Sequence, residues 1–175
     1  MAADSVIAAL NEQIGHEYAA HQQYVACAVY YDAETLPQLA RFFYRQALEE
    51  RDHAMMMVQY LIDADAPVHI PGVAAPQNEF ADIVAPVALA LAQEKRVTEQ
   101  INALAATSRA EGDYTSEQFM QWFIKEQVEE VATMSDLLRV VERSKTDPMD
   151  IEDFLAREHP AEEDEDPTAP HPAGA

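Results

Sequence analysis

The sequence predicts an all-α fold: a four-helix bundle with one long crossover connection and a short fifth helix at the C-terminal end. Three observations carry this. Glycine is scarce, 4 of 175 residues, and a 49% hydrophobic fraction dominated by Ala, Leu, Val and Met favours helix over a turn-rich sheet. Four long stretches repeat apolar residues at alternating spacings of three and four, the period of a buried helix face. Helix-breaking prolines fall between these stretches or in their opening turns.

The first helix runs from about Ser5 to Tyr31. A turn over Asp32 to Leu36 follows, and Pro37 suits the opening turn of the next helix, where its missing N–H costs nothing. The second helix reaches about Ala64, after which Pro67, Pro71, Gly72 and Pro76 make Asp65 to Ala81 a connection. About 17 structureless residues are unusual inside one domain. Such a loop extends roughly 56 Å, however, and a helix of about 28 residues is roughly 42 Å long. The loop therefore returns the chain along the whole bundle, so that the third helix starts beside the first turn. That helix is expected from near Asp82, with Pro86 in its first turn, to near Gly112. Thr115 and Gln118 resemble a capping box opening the fourth helix, which runs to about Arg143. Asp147 as N-cap, Pro148 at the first position and Asp150 near the third mark a short fifth helix ending near Arg157. Residues 1–158 thus form one domain. Residues 159–175, with Glu162-Glu163-Asp164-Glu165-Asp166 set among prolines, read as a disordered acidic tail.

Lys and Arg number 11 against 32 Asp and Glu, a formal charge of −21, which repels nucleic acid and anionic lipid. Only five of these charges belong to the acidic run of the tail, so the folded body is itself acidic. The single cysteine, Cys27, excludes a disulfide framework and a thiolate metal site within one chain. The longest apolar stretch, Ile83 to Ala92, is about half of a membrane span, and the opening residues lack a basic leader. A cytoplasmic protein with no nucleic-acid or membrane partner is expected.

Followed along each helix, the apolar seam is interrupted by glutamate. The first seam reads Ile7, Leu10, Ile14, Glu17, His21, Tyr24, Ala28, Tyr31, and the second Leu39, Phe43, Gln46, Glu50, His53, Met57, Tyr60, Ala64. The third reads Val84, Val87, Leu91, Glu94, Thr98, Ile101, Ala105, and the fourth Met120, Phe123, Gln127, Glu130, Met134, Leu137, Val141. Counted from the turns, Glu17, Glu50, His53, Glu94, Gln127 and Glu130 fall at one depth near mid-bundle. Any one of these glutamates could reach water at a helix boundary; four buried at one level repel one another and lose hydration. Two divalent cations resolve this, since four carboxylates carry −4 and two Fe(II) carry +4, with neutral His53 as a nitrogen donor. Glu50 and His53 form an E-x-x-H pair projecting from one face, the arrangement of di-iron and di-manganese carboxylate bundles. The mixed oxygen and imidazole set suits iron or manganese.

At these residues the chain resembles the non-haem bacterial ferritins over about residues 5–158. The matching stretches are Glu17 with Tyr24, Gln46 to Ala54, Gln93-Glu94, Phe119 to Phe123, and Glu126 to Glu130. The resemblance implies one iron held by Glu17, Glu50 and His53 and a second by Glu50, Glu94 and Glu130, with Glu50 bridging and Gln127 beside them. It implies a third iron near Glu49, Glu126, Glu129 and Glu130, and electron supply to oxygen intermediates from Tyr24 and Trp122. The activity implied is ferroxidation of Fe(II) by O₂ or peroxide, then storage of ferric mineral in a 24-subunit shell whose fourfold axes are lined by the fifth helix. The reductant that releases the iron is not implied.

A haem-bearing bacterioferritin resembles a more symmetric site, with a second E-x-x-H on the fourth helix and a haem-ligating Met directly after the first glutamate of the pair. This chain has Gln127 with Glu130, and Arg51, at those places, so no haem is expected. Met55-Met56-Met57 reads as helix-interface filler. His21, one turn from Glu17, reads either as its outer partner or as a hydrogen-bonded core histidine, whereas His16, His69, His159 and His171 read as surface or tail residues. A di-iron oxidase acting on an organic substrate would need an apolar pocket beside the ligands, and a purely structural bundle would not need the polar band.

Overall fold

The computed structural model describes residues 2–159 and 166–174. Its elements are α1 (Asp4–Ala33), α2 (Pro37–Asp63), α3 (Ala85–Ala110), α4 (Tyr114–Ser144) and α5 (Pro148–Glu158). The helices α1 and α2 pack together, as do α3 and α4; α1 joins the two pairs through α3, and α5 lies across α2 and α4. This is the four-helix bundle with one crossover that the periodicity predicts.

Three helix ends close with one device. After α1, α2 and α3 a residue enters the left-handed region, Thr35 (φ 61°), Asp65 (φ 52°) and Gly112 (φ 68°). The next N–H then reaches back five residues: Leu36 to the Tyr31 carbonyl, Ala66 to Leu61 and Asp113 to Ser108, at 2.9–3.0 Å. These bonds occupy carbonyls that the helix leaves open.

The crossover lies along α1. Asn11 donates to the Pro67 carbonyl (3.0 Å) and accepts from the His69 N–H (2.6 Å). Gln23 does the same at Gln77, 2.9 Å each way. Each amide thus pairs with loop backbone as another peptide group would. Between them Gly15 makes room for the loop, since a Cβ there would stand 3.1 Å from Pro71 Cγ. Tyr31 ends the track, donating to the Ile83 carbonyl at 2.6 Å.

Four local expectations are corrected. The helix α3 begins at Ala85 and not near Asp82, because Asp82 Oδ1 accepts from the Val84 and Ala85 N–H groups and stands outside the helix as their cap. The cap of α4 is Asp113 and not Thr115: its carboxylate takes Ser116 N at 3.1 Å and Ser116 Oγ at 2.7 Å. Asp147 makes no side-chain cap bond to α5. The tail expectation fails for residues 166–174, which dock on α2 and α4: Ala173 N donates to the Met55 carbonyl (3.0 Å), and Ala169 and Ala173 pack against the core. Residues 160–165 lie outside the described residues.

The core has two apolar clusters. One holds Tyr24, Tyr31, Phe43, Leu137, Ile151 and Leu155, and the other Leu10, Ile14, Met57, Leu61, Ile101 and Met120. At the end of the first, the buried Glu152 carboxylate accepts from Gln38 N (2.7 Å) and Leu39 N (3.0 Å). It thereby satisfies the open N-terminus of α2, which has no side-chain cap of its own, and fastens α5 to the bundle.

Candidate metal centre

Between the apolar clusters lies a buried polar layer. Glu17 (1% exposed), Glu50 (1%), His53 (4%), Glu94 (0%), Gln127 (3%) and Glu130 (5%) all face inward. Each sits where an apolar residue of its helix's seam would stand, so the apolar turns on either side hold it in the core. Glu17 and Tyr24 come from α1, Glu50 and His53 from α2, Glu94 from α3, and Gln127 and Glu130 from α4.

Glu17, Glu50 and His53 each bring a donor atom within 4.8 Å of the other two, the one such set of three among the described residues. His53 Nδ1 lies 3.7 Å from Glu50 Oε2. Glu94 and Glu130 are close enough to act on Glu50: burial first, then the Glu94 and Glu17 carboxylates, hold the Glu50 carboxyl well above the usual range. Burial and Glu94 do the same to Glu130. Burial raises Glu94 to about 7 despite hydrogen bonds from Tyr24 and Gln127. The His53 imidazole is pushed down by burial, so it is neutral and keeps a lone pair for a metal.

The fit to cations shows in atoms left without donors. Glu17 Oε2, both Glu50 oxygens and Glu94 Oε2 are buried and accept no hydrogen bond. Buried oxygens in that state are costly for a protein; cation ligation would satisfy them. The other oxygens are engaged. Gln13 donates to Glu17 Oε1 at 2.8 Å, and Tyr24 O–H donates to Glu94. Thr98 Oγ1 donates to Gln127 Oε1 (3.0 Å), turning the Gln127 amide N–H groups toward Glu94. Tyr24 is itself held well above its usual pKa, by burial and by Glu94.

Glu49, Glu126, Glu129 and Glu130 line a cavity of about 260 Å³ with Arg45, Gln46, Thr133 and His159. They surround this space and do not converge on a point as Glu17, Glu50 and His53 do. Gln46 donates to Glu49, and its buried Oε1 has no partner. His159, read from sequence as a tail residue, is half-buried against the edge of Phe42 and contributes to this wall. His21 is structural: its Nδ1 lies 2.5 Å from the Ala47 carbonyl. Met56 and Met57 are buried in the apolar cluster that holds Leu10 and Met120, and Met55 Sδ accepts from Tyr18 O–H at 3.0 Å. Trp122 stands edge-on to His53, with ring centres 5.6 Å apart.

Sequence reasoning missed Gln13, Thr98 as a partner of Gln127, and His159. Gln13 had a readable signal, standing four residues before Glu17 on the same face. His159 had none, because its place depends on how α5 folds across the bundle.

Comparison with known proteins agrees with the fold. The Ferritin family model, described as a ferritin-like domain, matches residues 7–144. The chain is 55% identical over 167 residues to Ferritin BfrB of Mycolicibacterium smegmatis, covering 95% of this chain and 92% of the relative. A Mycobacterium tuberculosis relative named Bacterioferritin BfrB is 54% identical, covering 86% of this chain and 83% of its own. The Bacterial non-heme ferritin of Staphylococcus aureus is 38% identical over 75% of this chain and 80% of its own. Among solved structures, an open pore ferritin from the archaeon Archaeoglobus fulgidus superposes with a TM-score of 0.85 at 26% identity, over 89% of this chain and 96% of that one.

Proposed function

This chain belongs to the ferritin family, and from that premise we propose that it stores iron, oxidising Fe(II) at the buried layer with O₂ or peroxide and passing Fe(III) to a mineral inside a 24-subunit shell. The observation that carries this reading is the convergence of Glu17, Glu50 and His53, with unpartnered buried oxygens beside Glu94 and Glu130. Two Fe(II) ions balance the four carboxylates. Oxidation raises the metal charge to +6 against −4, so bridging hydroxide or oxide must enter and protons must leave. Glu50 shares its oxygens between the ions, Glu17 and His53 complete one, and Glu94 and Glu130 the other.

The cavity that reaches Glu130 is where Fe(III) leaves. Its lining is four carboxylates with Gln46, Arg45, Thr133 and His159, and Phe42 is its one apolar residue; this suits a hydrated cation better than an apolar substrate, which weighs against an oxidase acting on an organic molecule. Its roominess suits transit over tight retention. Exposed apolar side chains, among them Val29, Leu48, Ile62 and Val128, provide surface for contacts between subunits. The haem-free reading is supported by Arg51, which pairs with Asp52 at 2.6 Å; a Soret band in the purified protein would overturn that part.

Gel filtration with repeated Fe(II) additions in air tests the proposal. A large shell that oxidises and retains hundreds of irons per particle is the expected result. A small oligomer holding about two irons per chain would contradict it. In the same assay Glu129→Ala is expected to leave the first turnover nearly intact and to slow recovery of the centre between additions several-fold. Recovery equal to wild type would remove the exit role.

A further inference from the structure

The C-terminal segment reaches the polar layer through one residue, Asp166. Its Oδ1 accepts from Thr168 N (2.8 Å) and Thr168 Oγ1 (2.6 Å), fixing a turn that also joins Ala169 N to the Asp166 carbonyl (3.1 Å). Its Oδ2 points the other way, taking Trp122 Nε1–H at 3.2 Å and Lys125 Nζ at 3.3 Å. Trp122 meets the edges of His53 (5.6 Å) and Phe123 (5.0 Å). The docking does not hang on this one carboxylate, because Ala173 N also bonds the Met55 carbonyl and Ala169 and Ala173 pack on the core. The Thr168 hydrogen bonds, then Trp122 and Lys125, hold the Asp166 carboxyl far below its usual range, so it is an anion at any working pH.

We propose that Asp166 is a positioning residue for the oxidation chemistry: it holds the Trp122 indole against His53 and sets a negative charge at the indole nitrogen, making Trp122 the protein's preferred one-electron donor to the centre. The proposal rests on the reading of Trp122 as an electron donor. Its physical basis is that an indole losing an electron becomes a cation and a strong N–H acid. A fixed anion within hydrogen-bond distance of Nε1 stabilises that cation by Coulomb attraction, and the proton released from Nε1 leaves to solvent.

The need for such a donor arises when the centre holds too little iron. Peroxide accepts two electrons and two protons to become two waters, and a single Fe(II) supplies one electron in becoming Fe(III). The indole supplies the second electron and, from Nε1, one of the two protons; solvent supplies the other. The products are two waters, Fe(III) and a neutral indolyl radical, with the O–O bond broken and charge balanced. A side chain that delivers this electron spares the buried ligands from oxidation.

The chain has one tryptophan, so every indole signal belongs to Trp122. Wild type, Asp166→Asn and Asp166→Glu shells are loaded anaerobically with about one Fe(II) per chain, mixed with hydrogen peroxide and freeze-quenched for electron paramagnetic resonance, with ring-deuterated tryptophan to assign the radical. The expected result is an indolyl radical in wild type, about tenfold less of it in Asp166→Asn, and most of it restored in Asp166→Glu. Tryptophan emission is expected to shift in Asp166→Asn and to stay near wild type in Asp166→Glu. An indolyl radical equally abundant in Asp166→Asn overturns the role of Asp166 and leaves Trp122 as donor. No indolyl radical in wild type overturns the donor reading, and the proposal with it.

Discussion

Replacing Glu50 with alanine is expected to abolish the fast phase of Fe(II) oxidation, lowering its initial rate on the order of a hundredfold or more. Losing an outer partner of a metal ligand commonly costs about 10–100-fold. Glu50 stands closer than that: both of its oxygens are buried without a donor, and it lies among Glu17, His53, Glu94 and Glu130. Its removal opens both metal positions at once. His53→Ala removes the neutral nitrogen and is expected to lose the fast phase as well. Gln13→Ala supplies an internal scale. It removes only the hydrogen bond that orients Glu17, and a loss near tenfold is expected. Stopped-flow absorbance with about two Fe(II) per chain measures all three. Fast oxidation persisting in both Glu50→Ala and His53→Ala would show that iron is oxidised elsewhere on the chain.

The metal-free protein is expected to grow more stable as pH falls from about 7.5 to 5, the reverse of a protein held by salt bridges. Burial raises Glu94 to about 7 and holds Glu50 and Glu130 well above the usual carboxylate range, whereas carboxyls in the unfolded chain titrate near 4.3. Between these values the folded chain binds protons that the unfolded chain does not, so stability declines as pH rises. The penalty is absent below the unfolded pKa and complete above the folded one. For Glu94 alone it amounts to about 4 kcal/mol, a large share of a typical domain's stability. Glu94→Gln keeps the volume and can still accept from Tyr24, so at pH 7.5 its metal-free melting temperature is expected to equal or exceed that of wild type. Its pH dependence is expected to be flatter. Chelator-treated samples scanned at several pH values at one heating rate give the comparison. A Glu94→Gln protein clearly less stable at pH 7.5 would show that hydrogen bonds hold the layer together more strongly than charge repulsion strains it.

The expected pH response and the loss of oxidation share one cause, and that cause is legible in the sequence. Glutamate at a seam position is placed in the core by the apolar residues a turn above and below it. Glu17, Glu50, Glu94 and Glu130 therefore end up buried whatever their own preference. Gln127 and Tyr24 follow by the same periodicity. Caps and tail were less legible. Thr35 and Asp65 adopt the left-handed conformation without being glycine, so composition gives no sign of the device that ends α1 and α2. Thr115 satisfies a capping pattern, but the chain leaves α3 early enough for Asp113 to take the place. Asp166 sits in an acidic, proline-rich stretch whose composition argues for disorder. Its partners Trp122 and Lys125 lie over 40 residues away in the chain, and no local pattern connects them.

Crystals of the metal-free shell soaked anaerobically with Fe(II), with anomalous difference maps collected at the iron edge, test the central claim most directly. Two peaks per chain are predicted inside the bundle, one among Glu17, Glu50 and His53 and one among Glu50, Glu94 and Glu130, with Glu50 between them. Iron confined to exposed carboxylates such as Glu129, with neither interior position filled, would contradict the account.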